Sequence, residues 1–146
     1  MINLKDINKN TLINKADAVN VLLDIPNYHR SSDHQECVDI AQKSQKITTA
    51  LYMVTELNKD NDPLLLLMRK TSVNIMESLF VVVSLKDGER VASLSNTVVL
   101  LSSLVSYLDI IKKNGKISVM NYQLLISEIQ KIHERIGILI TKTMPY

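Results

Sequence analysis

The sequence predicts an all-α fold, an antiparallel up-down four-helix bundle that follows a short N-terminal extension. The first observation is composition: 46% of the residues are hydrophobic, and there are only three glycines and three prolines. A sandwich or barrel would need more turn residues. The second is a set of four segments in which apolar residues recur at alternating spacings of three and four, the pattern of helices packed along one another. The third is that short polar turns separate these segments, as in an up-down bundle.

The chain divides into an extension, residues 1–31, and a bundle domain, residues 32–146. Asparagines are scattered through the extension, and Pro26 interrupts it, since the residue before a proline avoids the helical region. A short apolar face precedes this break and consists of Ala16, Val19, Leu22 and Leu23. We expect a short helix and a linker, which either cover apolar surface of the bundle or serve as a docking arm.

The first bundle helix is predicted to begin near Ser32 and Asp33 and to end around Leu57 and Asn58. Acidic residues early in this segment suit the positive end of the helix dipole. Its apolar stripe consists of Cys37, Ile40, Ser44, Ile47, Leu51 and Val54. We expect this stripe to face the core and residues 59–61 to form a polar turn.

The second helix has a clear start. Asp62 is a favourable N-cap, and Pro63 can occupy the first helical position without losing a hydrogen bond. Its core stripe consists of Leu65, Met68, Ser72, Ile75, Leu79 and Val82. Residues 79–83 are rich in valine, which favours strands, but the sequence offers no partner strand, so we predict helix there.

The second helix is also apolar around much of its circumference, which requires burial on several sides. This surplus predicts an oligomer interface that consists of Leu66, Leu67, Phe80, Val81 and Val83. We therefore expect a homo-oligomer. Burial by a different protein, or by the N-terminal extension, is the competing explanation.

The third and fourth helices form the most clearly predicted unit, an αα-hairpin from Val91 to Thr143. A turn at residues 86–89 precedes it, marked by an Asp-Gly pair. Gly115 is predicted to end the third helix in a left-handed conformation, and Ser118 to cap the fourth. The two stripes consist of Val91, Leu94, Val98, Leu101, Val105 and Leu108, and of Tyr122, Leu125, Ile129, Ile132, Ile136 and Leu139.

The sequence carries no catalytic or metal signature, so we predict a non-enzymatic protein without a metal or cofactor. Three histidines and Cys37 lack the spacing of a metal site, and neither a GKS/GKT loop nor a GxGxxG motif occurs. Cys37 lies in the stripe of the first helix, where a buried structural thiol is the simpler interpretation. The single cysteine, and the lack of a leader or long apolar run, predict a cytoplasmic protein that does not enter a membrane.

Basic residues provide the one functional pattern, although the net charge of +2 is too small to identify a partner. In an up-down bundle the end of the third helix and the start of the second lie together, so basic residues there should cluster. Phosphate contacts require lysine and arginine but no fixed spacing. The candidate nucleic-acid-binding residues are Arg69, Lys70, Lys112, Lys113, Lys116, Lys131 and Arg135. An ordinary solvated face is the competing interpretation of these charges.

Three stretches carry a resemblance to a known family. Residues 50–57 read Ala-Leu-Tyr-Met-Val-Thr-Glu-Leu, residues 69–73 read Arg-Lys-Thr-Ser-Val, and residues 107–122 contain an apolar helix end, a glycine turn and a tyrosine-led helix start. They resemble the four-helix-bundle family first described from insertions in bacterial large-subunit ribosomal RNA genes, which includes the accessory variability proteins of diversity-generating retroelements. The family's Asn-Ile-Ala-Glu-Gly ending of the second helix is replaced here by Ser-Leu-Phe-Val-Val-Val-Ser at residues 78–84.

The resemblance implies a homo-oligomer. It points to a pentamer, because pentameric rings are known among the retroelement members. It also implies a basic surface that binds a reverse transcriptase and its template RNA. Only Arg69 and Lys70 match a basic position of the family. We therefore expect an accessory protein that binds RNA or DNA together with a reverse transcriptase in a diversity-generating retroelement ribonucleoprotein. The alternative is a protein-interaction module without a nucleic-acid role.

Overall fold

The computed structural model describes residues 32–56 and 62–144 and shows an all-α four-helix bundle, as predicted. The helices are α1 (Ser32–Glu56), α2 (Pro63–Val82), α3 (Asp87–Lys113) and α4 (Val119–Thr143). No strand occurs within the two described ranges, and α2 continues as helix to Val82. The predicted extension, residues 1–31, and the predicted turn at 59–61 lie outside the described residues.

The helices form a closed ring in chain order. Each packs against the next, and α1 packs against α4. Short connections at residues 83–86 and 114–118 reverse the chain direction, so successive helices are antiparallel. The predicted stripes of α1 and α2 are buried at every position. The stripe of α4 is buried from Leu125 to Leu139, whereas Tyr122 is half-buried.

The buried stripe of α3 differs in part from the prediction. Its buried positions are Leu94, Thr97, Leu101, Leu104, Leu108 and Ile111. Val91, Val98 and Val105, which the alternating pattern placed in the core, are half-buried. The physical reason is that residues 91–108 carry no charge, so the sequence does not mark which of two adjacent apolar faces turns inward.

The predicted start of α2 and the predicted helix ends at the α3–α4 connection are confirmed, whereas the predicted end of the first helix at Leu57 and Asn58 lies outside the described residues. The Asp62 carboxylate accepts a 2.9 Å hydrogen bond from the Leu64 amide, and the Ser118 hydroxyl accepts one of 3.1 Å from the Asn121 amide. Gly115 has a φ of 72°. Its amide donates to the Lys112 carbonyl, and the next amide donates to the Ile111 carbonyl, both at 3.0 Å. These two bonds form a Schellman motif, which satisfies carbonyls at the end of α3.

The start of α3 comes earlier than expected. Residues 87–89, predicted as a turn, form its first turn. Asp87 makes this possible with a φ of 48°, since aspartate tolerates the left-handed region better than most residues. Asp87 and Glu89 then lie in the first turn, where the helix dipole favours negative charge.

Small hydroxyl residues lie where α2 meets its two neighbours. Thr48 of α1 and Ser72 of α2 are buried with their hydroxyl oxygens 2.7 Å apart. Ser78 of α2 and Thr97 of α3 form a similar pair at 2.8 Å. Small side chains allow close helix approach, and their mutual hydrogen bonds limit the desolvation penalty. The contact between α1 and α4 differs from these two, because ion pairs cross it.

Candidate nucleic-acid interface

Five of the seven predicted basic residues lie toward one end of the bundle, where Arg69 and Lys70 are about 9 and 10.5 Å along α2 from its first residue. At this end α2 and α4 begin, whereas α1 and α3 finish, and we name it the basic end. Its basic residues are Arg69, Lys70, Lys112, Lys113 and Lys116. The Lys116 ammonium lies 2.5 Å from the Asp62 carboxylate, although the two residues are 54 positions apart. This contact ties the α3–α4 loop to the start of α2.

Asp62 serves two purposes in this arrangement. One carboxylate oxygen caps α2 and the other accepts from Lys116. The hydrogen bond from Lys116, followed by that from the Leu64 amide, lowers the pKa of Asp62 from its ordinary value. Asp62 is therefore ionised at neutral pH and offsets part of the positive charge at the basic end.

Arg69 has a structural position. Its Nε donates to the Thr55 hydroxyl at 2.7 Å, and a terminal nitrogen donates to the Tyr52 carbonyl at 3.3 Å. Its guanidinium also lies 4.7 Å from the centre of the Tyr52 ring, within the range of a cation–π interaction. Arg69 thereby joins α2 to the last turns of α1.

Lys112 is similarly engaged. Its ammonium lies 4.6 Å from the centre of the Tyr122 ring, so it connects the end of α3 to the start of α4. Both cation–π contacts leave charge near an aromatic face at the basic end. Tyr52 is the more accessible of the two rings, since 41% of the residue is exposed.

Lys70 and Lys113 are the exposed members of the basic end. Lys113 lies 2.9 Å from the Asp109 carboxylate one turn earlier in α3. This hydrogen bond raises the pKa of Lys113 and lowers that of Asp109. Exposed pairs of this kind contribute little to stability, so Lys113 can exchange its partner for a phosphate at small cost.

Lys131 and Arg135 lie apart from the basic end. They follow the first residue of α4 by about 18 and 24 Å at 1.5 Å per residue. Lys131 is 3.2 Å from Glu128. Arg135 binds both carboxylate oxygens of Glu36 and lies 3.9 Å from Asp39. The Lys131 pair lies within α4, whereas the Arg135 pairs cross the α1–α4 contact and could not be read from spacing alone. We leave both residues out of the proposed site.

The predicted oligomer interface on α2 is only partly exposed. Its exposed members are Leu66, Leu67 and Val81, whereas Phe80 is half-buried. Val83 is 7% exposed and belongs to the core, so we leave it out of any proposed interface. Asn74 and Glu77, both exposed, interrupt the outer face between the remaining residues. The apolar surplus is smaller than predicted because α2 has neighbours on two sides, α1 and α3.

Sequence reasoning missed a group of exposed apolar residues at the basic end. It consists of Leu66, Leu67, Ile110, Val119 and Met120, of which the sequence singled out only the first two. Each lies within about 6 Å of a helix terminus along the helix axis. The sequence could have identified them by their position, because all five are apolar residues that lie outside the core stripes and close to a turn.

In the part of the chain that the structure describes, Cys37, His34 and His133 do not form a site with metal-binding chemistry. Burial raises the pKa of the Cys37 thiol, which makes it a poor nucleophile. Among residues 32–56 and 62–144 no group of histidine, cysteine and carboxylate residues could hold a metal ion. His133 is exposed and lines a pocket between α3 and α4.

Comparison of the chain with protein-family models, with curated proteins and with solved structures finds no match. In the part of the chain that the structure describes, α3 is the one helix long and apolar enough to cross a membrane by length and composition. A core helix of a bundle meets the same criteria, and α3 contributes six buried residues to this core.

Proposed function

We propose that this protein is a non-enzymatic four-helix bundle that binds nucleic acid through its basic end. The observation that carries the proposal is the gathering of five basic residues from α2, α3 and the α3–α4 loop at one end. The contacts of Lys116 with Asp62 and of Lys112 with Tyr122 hold this arrangement together. Among the side chains described at this end, two acidic residues, Asp62 and Asp109, lie with the five basic ones, so positive charge is in excess there. Such a surface attracts phosphates without requiring any one side chain to be indispensable.

Within this surface the residues have different tasks. Lys70 and Lys113 are exposed and are proposed to contact phosphates directly. Arg69, Lys112 and Lys116 stabilise the bundle end and add to the local positive potential. Tyr52 presents a ring beside Arg69, and such a ring can stack on an unpaired base. We therefore infer single-stranded nucleic acid, RNA in particular, as the ligand.

The resemblance to the ribosomal-RNA insertion family and its retroelement members supports a finer proposal, that the protein is an accessory to a reverse transcriptase. An accessory of this kind must contact RNA and protein together. The basic end has both chemistries, since Leu66 and Ile110 are exposed near Lys70 and Lys113. Self-association of the chain is also part of this finer proposal. The resemblance implies that the oligomer is a pentamer.

The test is a fluorescence-anisotropy titration of a labelled single-stranded RNA with the full chain at several salt concentrations. Phosphate contacts release counterions, so the logarithm of the binding constant should fall linearly with the logarithm of salt concentration. A matched duplex should bind more weakly if Tyr52 stacks on unpaired bases. Lack of binding at low salt would overturn the proposal.

A second candidate is a protein-interaction module without a nucleic-acid role. The observation that favours it is the exposed apolar group at the basic end, which includes Val119 and Met120. Exposed apolar residues rimmed by polar ones are typical of protein-binding surfaces. Salt-insensitive capture of a protein partner, together with no RNA binding at low salt, would favour this candidate over the first.

A further inference from the structure

The outer face of α3 is unusual for a helix that borders solvent. Residues 91–108 carry no charged side chain, whereas the outer face of a bundle helix is ordinarily rich in charge. Its exposed positions in this range are Ala92, Ser95, Asn96, Val99, Ser102 and Ser106. We name these six residues the α3 face. A surface without charge lacks the usual barrier to close contact with another protein surface.

The serine hydroxyls near the centre of the α3 face are already hydrogen-bonded within the helix. Ser102 donates to the Val98 carbonyl at 3.2 Å, and Ser106 donates to the Ser102 carbonyl at 3.2 Å. Neighbouring Ser103 donates to the Val99 carbonyl at 3.3 Å. Since burial of a polar group is costly chiefly when it leaves the group unpaired, these serines can be buried without a new partner. The α3 face is therefore suited to a protein contact.

A pocket of about 270 Å³ adjoins the α3 face, in the groove between α3 and α4. Its lining residues are Leu101, Ser102, Val105, Ile129, Gln130 and His133. Val99 is 65% exposed, the highest value among the exposed large apolar residues described. It lies one helical turn before Ser102, or about 4.5 Å along the helix axis. A protruding apolar side chain and an open apolar pocket thus lie side by side on one surface.

We propose that a second copy of this chain docks here, with α3 antiparallel to its counterpart and Val99 of each copy in the pocket of the other. A twofold interface requires that a surface complement itself, so that each residue pair occurs twice. Val99 and the pocket lie on opposite sides of a point near residues 100–101 of α3. A twofold axis through this point would bring Val99 of each copy to the pocket of the other. The absence of charge from residues 91–108 also means that no like charges meet where α3 crosses its counterpart.

The size of the surface is consistent with a dimer. The uncharged part of α3 is about 27 Å long, and α3 with the α4 side of the groove is about 20 Å wide. The projected area is on the order of 500 Å², and a ridged helical surface has more accessible area than its projection. This approaches the roughly 800 Å² per partner of a standard interface.

The composition of the α3 face favours a protein surface over lipid as its occupant. Serine and Asn96 predominate, and within residues 91–108 Val99 is the one large apolar side chain that is exposed. Small side chains permit a second helix to approach closely, whereas they bury little apolar area in lipid. The dimer is independent of nucleic-acid binding, since the α3 face excludes all five residues of the basic end.

The first test is analytical ultracentrifugation of the full chain over a concentration series. We expect a monomer–dimer equilibrium in the wild type, a result that would also exclude the pentamer that the resemblance implies. Val99→Glu should raise the dissociation constant on the order of 100-fold, because each copy would carry a carboxylate into a largely apolar pocket. Ile138→Glu is the matched control, since Ile138 is 54% exposed on α4 and does not line the pocket, and it should leave the equilibrium unchanged. A concentration-independent monomer in the wild type would overturn the proposal, and so would dissociation by Ile138→Glu alone.

The second test does not depend on the tolerance of a buried charge. Cys37 is the one native cysteine and is buried, so an introduced surface cysteine reports its own contacts. Under mild oxidation a mixture of Val99→Cys and Ser102→Cys proteins should form a mixed disulfide faster than either protein alone forms its own. Equal rates in all three samples would contradict the antiparallel pairing. Co-sedimentation of wild type, but not Val99→Glu, with neutral phosphatidylcholine vesicles would instead assign the α3 face to lipid and overturn the proposal.

Discussion

Arg135 of α4 and Glu36 of α1 form a two-point ion pair across the bundle, although 99 positions separate them in the chain. The Arg135 side chain also lies 3.9 Å from Asp39. A bidentate guanidinium–carboxylate pair fixes orientation as well as distance. The pair therefore sets the alignment of α1 on α4, a contact that lacks the interlocking hydroxyl pairs described for α2.

Reversal of this pair should reveal its contribution. Arg135→Glu places two carboxylates together and should lower the free energy of unfolding by about 2 kcal/mol. The double variant Glu36→Arg with Arg135→Glu should recover most of the loss, because the opposite charges meet again in exchanged positions. Urea denaturation measures both. Failure of the double variant to recover stability would show that Arg135 acts through packing of its aliphatic stem.

The same pair predicts a pH dependence. The hydrogen bond from Arg135 lowers the pKa of Glu36 from its ordinary value of 4.5. A carboxyl whose pKa is lowered by folding contributes stability above its unfolded pKa and loses that contribution as pH falls through the folded value. The free energy of unfolding should therefore decline below about pH 4.5. Arg135→Gln should be less stable at neutral pH and should lose less stability on acidification; parallel profiles for the two proteins would argue against this origin.

Two glycines should respond oppositely to the same substitution. Gly115 has a φ of 72°, which a residue with a Cβ adopts at a penalty, so Gly115→Ala should lower the free energy of unfolding by about 1 kcal/mol. Gly137 lies within α4 with open space around the position of a Cβ. Gly137→Ala should raise it by about 0.5–1 kcal/mol. Thermal unfolding of the two variants provides the comparison, and a shift of the same sign in both would contradict the described backbone.

Asp62 offers a variant in which stability and binding should change in opposite directions. Asp62→Asn keeps a side-chain oxygen for the Leu64 amide but removes the charge that pairs with Lys116. The melting temperature should fall, whereas affinity for RNA should rise because the basic end loses one negative charge. Asp62→Ala, which also removes the cap, should melt at a still lower temperature. Weaker RNA binding by well-folded Asp62→Asn would indicate that the acidic residue itself contacts the ligand.

The buried face of each helix is predictable from the sequence only where polar or charged residues occupy the opposite face. Every residue of the stripes predicted for α1 and α2 is buried. Although α2 is apolar around much of its circumference, the exposed residues Lys70, Asn74 and Glu77 mark its outer side. α3 has no charge between Arg90 and Asp109, so a single alternating pattern did not distinguish Val98 from Thr97 as the buried residue. Periodicity reports a helix face only when the opposite face is polar.

The candidate site was predictable only in outline. The up-down topology sufficed to assign Lys112, Lys113 and Lys116 to the end of the bundle at which α2, the helix of Arg69 and Lys70, begins. The pairings of Lys116 with Asp62 and of Arg135 with Glu36 depend on the rotation of each helix about its axis, which residue spacing does not specify. The sequence could not distinguish among the seven predicted basic residues, which the structure divides into three groups. Two are exposed lysines of the basic end, three stabilise that end, and two are ion-paired outside it.

The most direct test of nucleic-acid binding by the basic end compares two double charge reversals with the same change in net charge. Lys70→Glu with Lys113→Glu alters the basic end, whereas Lys131→Glu with Lys142→Glu alters exposed positions on α4. In RNA titrations across a salt series, the first variant should bind more weakly, and the salt slope should decrease in magnitude by about 1.4, or about 0.7 for each phosphate that the variant no longer neutralises. The second should retain the wild-type slope. An equal loss of RNA affinity in both variants would show that binding depends on net charge alone, and would contradict a site at the basic end.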